Sequence, residues 1–301
     1  MSRKQWLGVS AGALLLVGFA AHAQRPSSPP AFAVGRPAVT AAADPAGDPA
    51  ADVADDAVGT PRIAGALAGL LTPLEPAPSG PPGRVKVAPG PVTVRYTFDG
   101  GVGRPITDHL GRHELRPLGQ NGGALRLVRQ GSGLALAYPN RCRLAKERDC
   151  PRAILEGERD DNLNPGTKRL RYGAAVRMTP SDLADGANVV QKGYSVGRIS
   201  QYKLQVDHRL GHPSCVLAGD GAIHRAEALV NVADGRWHTL ECARSRTKLT
   251  LSIDGVPTAT ATVPPTLSIA NAEPLRVGGK GTNKSNDQFA GEIDNVFIQI
   301  G

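Results

Sequence analysis

Between Asp234 and Gly255 the chain reads D-G-R-W-H-T-L-E-C-A-R-S-R-T-K-L-T-L-S-I-D-G, and few backbones satisfy that order of residues. From Lys248 the residues alternate, with Leu249, Leu251 and Ile253 on one side and Thr250 and Ser252 on the other. A period of two is the signature of a strand with one buried face. Asp254-Gly255 then closes the run with a pair suited to a tight hairpin, because glycine enters positive φ without a steric penalty. Asp234-Gly235 turns the chain in at the other end, and Arg244-Ser245-Arg246 reads as a charged reversal in the middle. The stretch therefore specifies turn, strand, turn, strand, turn, and leaves no room for a helix.

The N-terminus is of another kind. Met1 to Ala23 has the order of a secretory signal: Arg3 and Lys4, an apolar run from Leu7 to Ala20, then Ala21-His22-Ala23 as a small-x-small cleavage site. A bilayer span takes roughly 20 apolar residues, whereas this run is shorter and broken by Gly8, Ser10, Gly12 and Gly18. Cleavage and export are expected, with no membrane span afterwards; an uncleaved anchor is the alternative. No cysteine follows the run, which argues against a lipid anchor there.

Residues 24–90 hold more than half of the chain's 25 prolines, one aromatic residue (Phe32) and no cysteine. Such a composition buries too little apolar surface to offset its ordering entropy, so a disordered, semi-extended linker is expected. Within it, Ile63, Leu67, Leu70, Leu71 and Leu74 repeat at helical spacing. That run reads either as a short helix or docking segment, or as a slightly apolar patch of linker.

Export would place the four cysteines in an oxidising compartment, where an even count reads as bridges. Cys142 and Cys150 flank a short polar loop, and Cys215 and Cys242 each sit inside a strand-like run. Of the three pairings, local closure of Cys142 with Cys150 leaves Cys215 and Cys242 to staple neighbouring strands, which is the expected arrangement. A metal site on these cysteines lacks both a C-x-x-C pair and histidines at ligand spacing. The formal charge of +8 is scattered rather than gathered in one run, so no nucleic-acid partner is expected. Salt-dependent attraction to acidic polymers is the side expectation.

From Pro91 to Gly301 short runs of five to eight residues are separated by Gly, Pro, Asn and Asp. Strands are expected at Val92–Phe98, Ala124–Arg129, Leu134–Tyr138, Arg152–Glu156, Arg171–Met178 and Asn188–Lys192. More are expected at Gln201–Asp207, Cys215–Ala218, His224–Val230, Pro274–Val277 and Gln288–Ile300, with almost no helical periodicity between them. The fold class is all-β, an antiparallel β-sandwich in one domain over 91–301. In the closing run Ile293 falls on one alternation and Val296, Ile298 and Ile300 on the other. Burying all of them requires an extra residue near Asp294-Asn295, a β-bulge.

The D-G-R-W-H-T-L-E-C-A-R stretch with its following D-G resembles the hallmark of laminin-G-like domains, members of the concanavalin A-like lectin/glucanase superfamily. Phe98-Asp99, Thr107-Asp108 through Gly111, and the ending F-A-G-E-I-D-N-V-F-I resemble the opening and closing of the same jelly roll. The resemblance, of a bacterial secreted type, implies a jelly-roll sandwich exported to bind carbohydrate or a cell-surface or wall protein. It also implies a structural calcium ion, with Asp99 and Asp294 as the matching carboxylates. Calcium takes six to eight oxygens, so carbonyls and water would complete the shell. The bare reading of the residues is that Asp99 satisfies turn amides and Asp294 caps the bulge.

Catalytic motifs are weaker. Gly193-Tyr194-Ser195-Val196-Gly197 fits G-x-S-x-G, but strand-like runs flank it on both sides, whereas a nucleophile elbow needs a strand turning into a helix. Glu292-Ile293-Asp294 begins like the carboxylate run of same-fold glycosidases, yet the position four beyond Glu292 is Val296. Glu156-Gly157-Glu158-Arg159-Asp160 fails the same spacing test. No enzyme is expected, the alternatives being a glycoside hydrolase of this fold or a structural adhesion module. Trp237 and His238 read as packing residues, while His208, His212 and the other histidines read as solvated loop residues. Asn283-Lys284-Ser285 matches a glycosylation sequon.

Overall fold

The computed structural model describes residues 90–301 apart from 103, 104, 185, 198, 208 and 209. The expected signal sequence, the linker short of Gly90, the 63–74 run and His208 lie outside the described residues. The first strands are β1 Val92–Tyr96, β2 Ile106–Thr107, β3 Glu114–Gln120, β4 Arg126–Gln130, β5 Gly133–Ala137 and β6 Arg152–Gly157. Next come β7 Leu170–Arg177, β8 Ala187–Gly193, β9 Gln201–Asp207, β10 His212–Gly219 and β11 Ala222–Glu227. The last are β12 Trp237–Arg244, β13 Lys248–Ile253, β14 Val256–Thr262, β15 Leu275–Val277 and β16 Glu292–Ile300. Among the described residues the helical content is two single turns of 3-10 helix, at Glu147–Asp149 and Asp161–Leu163.

The strands form two eight-stranded antiparallel sheets. One runs β14-β13-β12-β7-β16-β5-β4, with β1 also paired to β16; the other runs β11-β10-β9-β8-β15-β6-β3-β2. Alternation decides what lies between them. Leu249, Leu251 and Ile253 of β13 and Val94 and Tyr96 of β1 turn inward, as do Tyr202, Leu204 and Val206 of β9. Asp254 and Gly255 both hold positive φ, 52° and 79°, the pairing that a two-residue hairpin of matching twist requires. The expected bulge is present: β16 shifts register against β7 between Asp294 and Phe297, with Asn295 at φ 50°. Ile293, Val296, Ile298 and Ile300 are all buried as a result.

Both bridges form with the expected partners, Cys142–Cys150 and Cys215–Cys242, each with Cα atoms 5.6 Å apart. The second differs in one respect from the reading above. Cys215 in β10 and Cys242 in β12 lie in different sheets, so the bond crosses the core instead of joining neighbouring strands. The reason is phase: Cys215 alternates with inward Leu217 and Cys242 with inward Leu240.

Arg244 is a second correction. It ends β12 fully inside, with its guanidinium donating to the carbonyls of Gly166 (2.8 Å) and Leu267. The reversal starts one residue later. His212 opens β10 and His224 lies in β11, so neither is a loop residue, and the His113 side chain is only 10% exposed because it is hydrogen-bonded to Asp160.

The inter-sheet bridge closes a separation of 27 residues, for which chain entropy gives about 3.5 kcal/mol. The Cys215→Ala/Cys242→Ala double variant is expected to lose stability of that order in urea unfolding. Breaking the Cys142–Cys150 bridge, over a separation of 8, should cost less.

Candidate functional site

Three places gather polar chemistry. The first is the clasp at the start of β12. His238 Nδ1 meets Asp254 Oδ2 at 2.8 Å and Nε2 meets Asp234 Oδ1 at 3.1 Å, so one ring ties both Asp-Gly turns. Burial disfavours the charged ring, but the two carboxylates outweigh it and raise the His238 pKa. The hydrogen bonds of the Arg236 amide and guanidinium, then of His238, hold the Asp234 carboxyl well below the usual range. Arg177 lies over the Trp237 ring at 5.8 Å and donates through Nε and Nη2 to the two carboxylate oxygens of Glu292. Trp237, expected as a packing residue, is half-buried against Arg177, whereas His238 is held by two carboxylates and acts by hydrogen bonding.

The second place is the bulge. Asp294 is buried, and its carboxylate accepts from the Asn295 amide at 2.7 Å and from the Asn295 side chain at 2.8 Å. Asp99 Oδ1 accepts from the Leu134 amide at 2.8 Å. Burial first, and the charge of Asp99 second, push the Asp294 carboxyl up to about 6. The charge of Asp99 is felt at Asp294, so the two carboxylates that the resemblance singles out lie within electrostatic reach of each other. A hard cation fits that donor set. Among the described residues no third His, Cys, Asp or Glu completes a metal cluster, so carbonyls and water would supply the remaining ligands.

The third place is the face of the β11–β2 sheet turned away from the core. Cross-strand pairing sets Lys203 beside Gln191, Gln191 beside Arg276, Arg276 beside Glu156 and Glu156 beside Arg116. One polar row thus crosses β9, β8, β15, β6 and β3, roughly 19 Å at ordinary strand spacing. Arg276 anchors its middle, bonded to Glu156 at 2.6 Å and to the Tyr194 hydroxyl at 2.8 Å, with its guanidinium 5.4 Å from the Tyr194 ring centre. Beside the row, the side-chain oxygens of Asn188 and Gln201 are buried and accept no hydrogen bond.

The remaining motifs are engaged elsewhere. Gly193 ends β8 and Gln201 begins β9, so Ser195 sits in a strand-to-strand connection and not at an elbow. A side chain at Gly193 would meet the Ser200 carbonyl at 1.9 Å, which explains the glycine without chemistry. Glu292 is held by Arg177, and Val296 is buried in the core. Glu156, Glu158 and Asp160 each face a cation or imidazole: Arg276, Arg116 and His113. Asn283 of the sequon is exposed.

Comparison with known proteins agrees with this geometry. Residues 167–299 match the laminin G-type family described as the concanavalin A-like lectin/glucanases superfamily. Over these residues the chain is similar to laminin-G-like domains. Among curated proteins no sequence relative matches the chain. Among solved structures, domain 4 of AbnA, an extracellular arabinanase from Geobacillus stearothermophilus in complex with arabinotriose, is similar. It aligns at a TM-score of 0.52 and 16% identity, over 69% of this chain and 91% of that one. The binding domain of Paraclostridial Mosquitocidal Protein 1 aligns at 0.50 and 13% identity, over 68% of this chain and about half (48%) of that one. At these identities the likeness shows the jelly-roll fold. The match begins well after β1, so Asp99 was reachable from sequence only through the opening Phe98-Asp99 of the laminin-G-like pattern.

The raised Asp294 carboxyl has a measurable consequence. An acid whose pKa rises on folding binds its proton more tightly in the folded state, so it favours folding at low pH. That contribution falls as pH climbs from the unfolded value near 4 to the folded value of about 6. In chelator, the unfolding temperature is expected to drop across this window in excess of the rest of the protein, and Asp294→Asn should remove the excess. An unchanged pH profile in the variant would show the carboxyl to be ordinary.

Proposed function

We propose that the chain is an exported, non-catalytic module that binds carbohydrate through the outward face of the β11–β2 sheet. The observation that carries this reading is the accessible end of the row, Arg276–Glu156–Arg116, beyond which Gln191 and Lys203 are buried. Guanidinium groups and carboxylates fixed in register are what hydroxyl-rich ligands require, since each hydroxyl both donates and accepts. The unmet oxygens of Asn188 and Gln201 add two acceptors whose burial is costly until a donor arrives. Tyr194 supplies an aromatic surface beside Arg276.

Export is supported by the two disulfides and by the N-terminal signal pattern. Among the described residues no helix is long and apolar enough to cross a membrane. The arabinotriose held by the similar arabinanase domain supports a saccharide over a protein ligand. The laminin-G-like resemblance supports a calcium ion at Asp99 and Asp294, where it would relieve the repulsion at the bulge and fix the β16 register. Its role is structural, because neither carboxylate belongs to the polar row.

Two measurements test this. On a glycan array, the full chain is expected to bind a restricted set of neutral oligosaccharides, and Arg276→Ala should weaken that binding by about tenfold or more. Absence of any saturable glycan binding, or turnover of a bound polysaccharide, would overturn the reading. Separately, millimolar calcium at pH 7 should raise the unfolding temperature of the wild-type chain and leave Asp294→Asn unmoved.

A further inference from the structure

The polar row ends at Arg116, and Arg116 also lines a cleft of about 400 Å³ between the 111–116 and 157–160 segments. Beneath its polar lining lie the buried side chains of Leu115, Leu163 and Leu275. Its polar wall joins three distant parts of the chain. His113 Nδ1 lies 2.5 Å from Asp160 Oδ2, Asp160 Oδ1 accepts from the Asn162 amide at 2.9 Å, and Tyr96 reaches in from β1. The Tyr96 hydroxyl is buried and has no hydrogen-bond partner. A phenol in that position forfeits a hydrogen bond that water would have supplied, unless something in the cleft restores it.

We propose that this cleft takes one neutral sugar residue at the end of a saccharide bound along the row, so that the domain reads a chain terminus. The inference rests on the carbohydrate-binding reading above. Charge argues for a neutral occupant: Arg112, Arg116 and Arg159 are balanced around the cleft by Glu114, Glu158 and Asp160. The volume lies within the range of ligand sites, roughly 300–1,000 Å³. The Tyr96 hydroxyl and the His113–Asp160 pair meet the hydroxyls of a sugar ring, above a base of buried leucine side chains. The row and the cleft are also joined by adjacent residues of one strand. In β15, Leu275 faces inward onto the cleft floor and Arg276 faces outward at the centre of the row.

The test uses the full chain with free arabinose, glucose and galactose, read by the NMR signals of the His113 ring. At least one of the three should shift these signals saturably, and Tyr96→Phe should abolish the shift. The Tyr96→Phe unfolding temperature is expected to equal or exceed the wild type, because the hydroxyl it removes has no protein partner. His113→Gln, which leaves Tyr96 in place, serves as the second variant, followed on the array instead of by ring signals, and should lower oligosaccharide affinity about tenfold. Oligosaccharide binding that is equal in wild type, Tyr96→Phe and His113→Gln would overturn the cleft while leaving the module standing; a cleft filled by a bound water alone gives this result. A wild-type chain that binds no glycan on the array would instead overturn the module. Movement of the His113 signals by a monosaccharide would then still support the cleft, and their immobility would overturn it.

Discussion

Everything in this domain depends on two sheets keeping their alternation in phase across one core. The outward row exists because Tyr202, Leu204 and Val206 are committed inward, which leaves Gln201, Lys203 and Gln205 no other side. The inter-sheet bridge holds that phase from both layers, since Cys215 and Cys242 meet only while β10 and β12 both present their cysteines to the core. A slip of one residue in either strand would turn a cysteine to solvent and carry a polar residue inside. Phase, more than any single contact, is what the chemistry on the surface inherits.

The bulge in β16 shows the cost of that rule and its use. Without an extra residue, Ile293 and the Val296, Ile298, Ile300 set could not share one core. Admitting it draws Asp294 into the protein, where its carboxyl stands near Asp99 and resists ionisation. Bulges often re-aim a side chain in this way. Here the re-aimed group is an acid, and burying an acid beside another is favourable only if a proton or a cation accompanies it. Core packing alone accounts for why the strand bends there.

Much of the fold was legible because it is local. Alternation over five to eight residues, Asp-Gly turns and a phase jump in the last strand each occupy one short window of sequence. Arg244 was misread for the same reason: adjacent to Ser245 and Arg246 it looks like a solvated reversal, and its acceptors, Gly166 and Leu267, lie far away in the chain. The candidate site was mostly illegible. The row takes one residue from each of five strands, and nothing in sequence records which strands neighbour one another. The Q-x-K-x-Q alternation of β9 was the one visible trace of it. Lys192 was hidden differently, by a register shift between Asn188 and Val190 that turns it inward opposite Tyr202.

That inward lysine links the cleft to the row. Lys192 Nζ donates to the carbonyls of Asn271 and Glu273 and to the Asn271 side chain, at 3.1, 2.7 and 3.2 Å. Burial lowers its pKa to about 8 in spite of Asp161, Asp160 and Glu273, which pull the other way. A buried ammonium that spends its donors on one short segment is a positioning device, since releasing it would withdraw a charged donor from three acceptors at once. It pins the segment that continues into Leu275 and Arg276, the floor of the cleft and the middle of the row. Its charge also favours the ionised form of Asp160, the partner of His113 on the cleft wall. The two halves of the proposed binding surface therefore share one internal fastening, and a ligand lying across both meets a surface ordered before it arrives.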